Sequence, residues 1–271
     1  PDAEISVECN PDSVSDRLLH RLYAEGFNRV SLGVQSDDDE ILKKLGRPHT
    51  YAQAATAYQR IRKAGFRNVS IDLMYGLPGQ TMGAWEATLE TALSLPLKHI
   101  SAYALIVEEG TPMAARGDEL PDEEDVLSMQ RLCTRALAAA GFDRYEISNY
   151  ARAGFACRHN LVYWRRGEYL GFGCAAHSFF GGERFRNASD LEGYLRGARG
   201  LERERVDGAA AREETVMLAT RTREGLSLEN WRREFGEDFL CGREKVLDAL
   251  RRAGLLDVAD GHVRLTEKGM E

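Results

Sequence analysis

Apolar positions change their spacing in a regular way along the first 150 residues. Runs of period two at 4–9 ("EISVEC"), 29–35 ("RVSLGVQ"), 69–75 ("VSIDLMY"), 99–107 ("HISAYALIV") and 144–149 read as strands. Between them the spacing becomes helical. Leu18, Leu19 and Leu22 share a face, Thr50 with Gln53 predicts a capped helix to about Ala64, and 122–140 starts acidic and ends in alanines. One phrase recurs three times: "AEGFNRVSLGV", "KAGFRNVSIDL" and "AAGFDRYEIS". Each puts a glycine (Gly26, Gly65, Gly141) where a helix ends in a left-handed residue, then a Phe that can pack back on the helix end, then a strand.

Strands alternating with helices predict a parallel sheet with right-handed crossovers. Five strands are too few for a closed barrel of eight, so the expected fold is α/β, a partial barrel over residues 1–150. The segment 151–208 is rich in Gly and aromatics with little periodicity. From 209 helical spacing returns at 212–222, 228–235 and 243–253, and "LLDVADGHVRLTEKG" predicts a hairpin turning at Asp260-Gly261. Residues 209–271 thus read as a winged-helix-like α+β domain.

Alternation also sorts the strands' side chains. Ser6 and Glu8 share a face, as do Ser31, Gly33 and Gln35, and Ser70, Asp72 and Met74; the opposite faces are apolar. Helices cover apolar faces, so the polar ones should line the interior, with Glu8, Gln35 and Asp72 near the C-terminal strand ends where such folds place their sites. Unpaired buried carboxylates are costly, and a polar ligand with hydroxyl or amino donors would satisfy them.

Charge and cysteine usage narrow the chemistry. The net charge of −7 argues against a general nucleic-acid binder, and 209–271 carries 11 Lys and Arg against 13 Asp and Glu, no basic face for DNA. A lid or partner-docking role suits that domain better. Five widely spaced cysteines (9, 133, 157, 174, 241) form no disulfide framework and no CxxC site, which fits a reducing, cytoplasmic compartment. No signal peptide and no membrane-spanning apolar run of about 18 residues is visible. "GLPGQT" at 76–81 lacks the Lys-Ser/Thr ending of a phosphate loop and reads as a strand-to-helix turn with Thr81 near the N-cap. His20 and His49 read as surface or capping residues.

The runs "EISVECNP", "RVSLGVQS", "GRPHT", "IDLMYGLPGQT" and "ISAYALIVEEGTP" resemble, in order and spacing, the oxygen-independent coproporphyrinogen III oxidase group of radical S-adenosylmethionine (SAM) proteins. Downstream, "YEISNYARAGFACRHNLVYWRRGEYLGFGCAAHSF" is similar to its haem-chaperone branch, and the His-Asn-x-x-Tyr-Trp run is the specific part. The resemblance implies a radical SAM partial barrel, a bound SAM, and a [4Fe-4S] cluster held by a CxxxCxxC motif. That motif is absent from the sequence, which also opens without Met, so we expect an N-terminally truncated chain whose cysteines are not cluster ligands.

Carried over position by position, the resemblance implies Glu8 at the methionine amino group, Gln35 and Asp72 at the ribose hydroxyls, Arg47 at the methionine carboxylate and Ala104 as a backbone contact near the adenine. In the chaperone branch haem is bound and passed to acceptors. His159 and His177 then become candidates for the haem iron, Tyr163 and Trp164 for the porphyrin face, and Arg158, Arg165 and Arg166 for the propionates. A His-Asn pair before aromatics can equally lock a loop through backbone hydrogen bonds. The partners implied are haem or another porphyrin and haem-accepting proteins such as respiratory enzymes, with room for a homodimer and none for nucleic acid. The alternative is an enzyme, oxidatively decarboxylating coproporphyrinogen III to protoporphyrinogen IX.

Overall fold

The computed structural model describes residues 2–271. Two compact units make up the chain: the first ends at Ala156 and takes in Glu271, and the second is Cys157–Met270.

In the first unit β1 (Ser6–Cys9), α1 (Asp16–Ala24), β2 (Arg29–Gln35), α2 (Asp39–Lys44), α3 (Tyr51–Lys63), β3 (Asn68–Tyr75), α4 (Met82–Leu93), β4 (His99–Ala104) and α5 (Glu123–Ala139) follow one another, then β5 (Asp143–Glu146) and β6 (Asn149–Ala151). Side chains start the helices by satisfying amides that have no partner within the helix. Ser15 accepts from Leu18 N, Thr81 from Ala84 N and Asp122 from Asp125 N, and Thr50 with Gln53 forms the full capping box. Gly26, Gly65 and Gly141 take φ of +90°, +108° and +80°, and Phe66 and Phe142 behind two of them are buried.

The sheet order is β1-β2-β3-β4-β6-β5, and β1 to β4 run parallel. This is the expected partial barrel, with one difference. The run expected as a fifth strand at 144–149 breaks into an antiparallel hairpin, and β6 pairs antiparallel with β4. Local bonds make the turn: Arg144 Nε and Nη2 donate to the Ile147 carbonyl at 3.0 and 2.7 Å, and Ser148 N donates to Glu146 Oε1 at 2.9 Å.

The apolar strand faces meet the helices. Val30, Leu32, Ile71, Leu73 and Ile100 are at most 1 % exposed, each contributing about 1.5–3 kcal/mol by burial. Trp85 joins them and donates Nε1 to the Met129 carbonyl at 3.0 Å, tying α4 to α5. His49 departs from the surface or capping role expected for it: it is buried, with Nε2 3.3 Å from the Val34 carbonyl, and Thr50 caps the helix that follows.

The second unit contains α6 (Arg158–Trp164), β7 (His177–Phe180), β8 (Glu183–Arg186), α7 (Leu191–Leu195), β9 (Leu201–Arg205), α8 (Gly208–Thr220), β10 (Leu226–Ser227), α9 (Leu228–Phe235), α10 (Glu244–Arg252), β11 (Leu256–Ala259) and β12 (His262–Leu265). Strands β10, β12 and β11 form one antiparallel sheet, turning at Asp260 and Gly261 with φ of +50° and +74°. Trp231, Phe239, Leu226 and Val263 form its core. The stretch without periodicity folds as a three-stranded antiparallel meander, β7-β8-β9. Among the described residues no helix is long and apolar enough to cross a membrane.

Candidate functional site

Register places the polar side chains of β1 to β4 in rows. Glu8 pairs with Ser31, Ser31 with Ser70 and Ser70 with His99; one step further along, Gly33 pairs with Asp72 and Asp72 with Ser101. Asp72 accepts from Ser31 Oγ at 3.0 Å and from Ser101. Desolvation raises its carboxyl above the usual range and the Glu8 charge adds to this, while the two serine bonds and the Arg29 charge oppose it.

Gln35 reaches the same place by a different route from simple alternation. A bulge after Gly33 shifts the register, and Gln35 takes φ +70° at the strand end. Its side chain is buried and accepts from Tyr103 Oη at 3.2 Å. Gly33 makes room for it, because a Cβ there would lie 2.9 Å from Gln35 Nε2. The following loop is pinned: Asp37 accepts from Thr88 and from Thr91 Oγ1, the latter at 2.8 Å, and Asp38 caps α2.

Tyr103 reports the convergence. Burial raises its hydroxyl and so does the charge of Asp72; Arg47 and the bond to Gln35 lower it, and Glu8 raises it slightly. Arg47, half-buried, points Nη1 at Asn10 Oδ1 across 3.5 Å. Four of the five residues expected around SAM thus act on one phenol. Ala104 is the last residue of β4; it alternates with Tyr103, and its side chain packs against the core instead. Glu8 is exposed, at the edge of the sheet.

Sequence reasoning missed Tyr103, Ser101, His99 and Arg29, although all four obey the same period-two rule. His99 is buried, with Nδ1 2.7 Å from Ser70 Oγ and Nε2 2.8 Å from Tyr145 Oη. Burial, reinforced by Arg29, holds it well below the usual histidine range, so it is neutral. Arg29 is 5 % exposed, and its Nε finds no acceptor among the described residues.

The donor set fits SAM: two carboxylates, an amide, a phenol and a guanidinium match its ammonium, ribose hydroxyls and carboxylate. It does not fit an iron–sulfur cluster. Cys9, Cys133 and Cys157 are buried, Cys174 and Cys241 are exposed, and burial pushes the Cys133 thiol to about 12. No group of three or more His, Cys, Asp or Glu gathers for a metal among the described residues.

In the second unit, His159 is exposed on α6 and stacks edge-on against Tyr163, centroids 4.9 Å apart; Tyr163 meets Tyr169 at 4.6 Å. Trp164 lies under the Arg221 guanidinium at 4.6 Å. His177 opens β7, exposed and opposite Arg186. Arg165 pairs with Glu224, and Arg166 with Glu214 and Glu234, so two of the three arginines expected at the propionates are engaged within the unit.

Residues 1–92 match the model of the radical SAM superfamily, and residues 206–271 that of the HemN C-terminal domain. A Bacillus subtilis protein named Heme chaperone HemW is 37 % identical over 276 residues, covering 98 % of this chain and 73 % of that protein. Its namesake in Mycobacterium tuberculosis is 38 % identical over 99 % of this chain and 69 % of its own. The Escherichia coli coproporphyrinogen III oxidase HemN superposes with a TM-score of 0.79 over 99 % of this chain and 67 % of that one, at 24 % identity, a likeness of fold. The radical SAM family implies SAM and a [4Fe-4S] cluster. With relatives of that similarity along nearly its whole length, the chain belongs to the HemW family of the radical SAM superfamily.

Proposed function

We propose that this protein is a haem-binding chaperone that delivers haem to acceptor proteins and carries SAM in the strand-end pocket of its first unit. The observation that carries the reading is the end-to-end similarity to proteins named Heme chaperone HemW. The oxidase alternative is less favoured, because the likeness to HemN at 24 % identity extends to fold alone.

In the SAM pocket, Glu8 takes the ammonium, Arg47 the carboxylate, and Gln35 and Asp72 the ribose hydroxyls, with the backbone at Ala104 beside the adenine. SAM supplies, when bound, the sulfonium on which radical chemistry in this superfamily depends. The chain's own residues hold and orient it; no step through a cluster is assigned to them.

In the second unit, His159 is the first candidate for the haem iron and His177 the second, with Tyr163 and Trp164 offering ring faces. The acceptors proposed are haem proteins such as respiratory enzymes, and the compartment proposed is the cytoplasm, where the five thiols stay reduced. A homodimer is the assembly proposed. The test is a haem titration of wild type, His159→Ala and His177→Ala followed in the Soret band. The reading expects uptake by wild type and a shifted or weakened band in at least one variant. Absence of uptake by wild type removes the function; identical spectra in all three remove the ligand assignment.

A further inference from the structure

The second unit holds a cavity of about 540 Å³ that none of the residues discussed above explains. Its size suits a ligand of a few hundred daltons. Phe172, Phe185 and Tyr194 line it, together with Leu170, Arg199 and Arg203. No Asp or Glu appears in the wall among the described residues.

The wall is built in advance. Gly173 N donates to Tyr194 Oη at 3.2 Å, Asn187 Nδ2 to the Gly173 carbonyl at 2.9 Å, and Gly171 N to Ser178 Oγ at 2.9 Å. A Cβ at Gly171 would fall 2.1 Å from the His177 carbonyl oxygen, so only glycine lets the loop lie this close to β7. On this fixed frame Phe172 stands 86 % exposed, a large ring with nothing over it in the unit.

The cations are available. Arg199 stacks on Tyr194 at 4.9 Å and makes no ion pair among the described residues. Arg203 stacks on Phe185 at 4.7 Å and gives Nη1 to Glu183 at 2.8 Å, an exposed pair of small worth. Glu202, which lies between the two arginines in sequence, is taken by Arg186. Ring faces beside two guanidiniums, with no acid in the wall, are complementary to a flat aromatic molecule carrying carboxylates.

We propose that this cavity seats a porphyrin, its macrocycle on the Phe172, Phe185 and Tyr194 side and its carboxylates on Arg199 and Arg203. The inference rests on the haem reading above and adds a place whose test does not depend on the iron ligand. A metal-free porphyrin isolates it from axial ligation. Mesoporphyrin IX and its dimethyl ester are titrated into wild type, Arg199→Ala, Arg203→Ala, Phe172→Ser and the distant control Arg251→Ala, with haem titrated in parallel into wild type.

Loss of a charge-assisted bond should weaken diacid binding about tenfold or more at either arginine. Phe172→Ser should weaken it as well, Arg251→Ala should not, and the ester should bind wild type as poorly as the diacid binds the arginine variants. Equal affinities across the variants, or haem uptake by wild type without diacid uptake, would overturn the cavity while leaving the haem reading intact. If wild type takes up neither haem nor diacid, the haem reading fails and this inference fails with it.

Discussion

The hydroxyl of Tyr103 donates to Gln35 Oε1 across 3.2 Å, joining the ends of two strands 68 residues apart in sequence. The bond fixes an amide whose backbone sits at φ +70° after a bulge. Removing it should loosen the pocket without opening the core, because Tyr103 lies on the interior face. Tyr103→Phe is therefore expected to bind SAM about three- to tenfold more weakly, the range a neutral hydrogen bond spans. Calorimetric titration with SAM reads the change, and an unaltered affinity would remove Tyr103 from the site.

Gly33→Ala tests the same amide from the other side. The new methyl would sit 2.9 Å from Gln35 Nε2 and 3.4 Å from Asn10 Oδ1, both ends of flexible side chains. They can yield, so the stability cost should not exceed about 1 kcal/mol, the centre of the range for point substitutions. The position of the amide cannot survive that yielding. We expect near-wild-type urea unfolding together with a marked drop in SAM affinity. A large loss of stability with retained binding would contradict this geometry.

Legibility differed between the two units for a physical reason. In the first unit one strand face is buried by helices, so apolar alternation marks each strand, and Glu8, Asp72 and Ser31 follow from counting by two. Gln35 obeyed the count by accident: the bulge breaks the alternation, and the φ of +70° brings the side chain back. In the meander, β9 reads Leu-Glu-Arg-Glu-Arg and is exposed throughout. Cross-strand pairs Arg186–Glu202 and Arg203–Glu183 accompany its pairing, so no apolar period exists to be read. The hairpin within 143–151 was hidden because its turn is made by local polar bonds, Arg144 to the Ile147 carbonyl and Ser148 N to Glu146, which leave no mark in the apolar period.

Asp72 carries a cost that binding should offset. Its carboxyl titrates above the unfolded value of 3.8, so the native state holds the proton more tightly than the unfolded chain does. Stability from this group is full below 3.8, declines as pH rises toward the raised native value, and stays lower beyond it. Asp72→Asn removes the charge and keeps an oxygen to accept from Ser31 and Ser101. The variant should be more stable than wild type at pH 7, with the advantage fading toward pH 4, and should bind SAM severalfold more weakly as a charge-assisted contact becomes neutral. Denaturant midpoints at the two pH values check the sign; an advantage that grows as pH falls would mean that folding lowers the Asp72 pKa instead of raising it.

His99 has the opposite dependence. Its native pKa lies well below 6.5, so the folded protein keeps it neutral between Ser70 and Tyr145 while the unfolded chain protonates normally. Its contribution is full above pH 6.5 and lost as pH falls below that value, at up to about 1.4 kcal/mol per pH unit for one proton. His99→Asn loses the two hydrogen bonds, about 1–2 kcal/mol at pH 7.5, and also loses the titration. The gap between wild type and variant should therefore narrow from pH 7 to pH 5.5. Unfolding curves that stay parallel across this range would mean that the imidazole takes a proton in place, which a site beside the buried Arg29 charge disfavours.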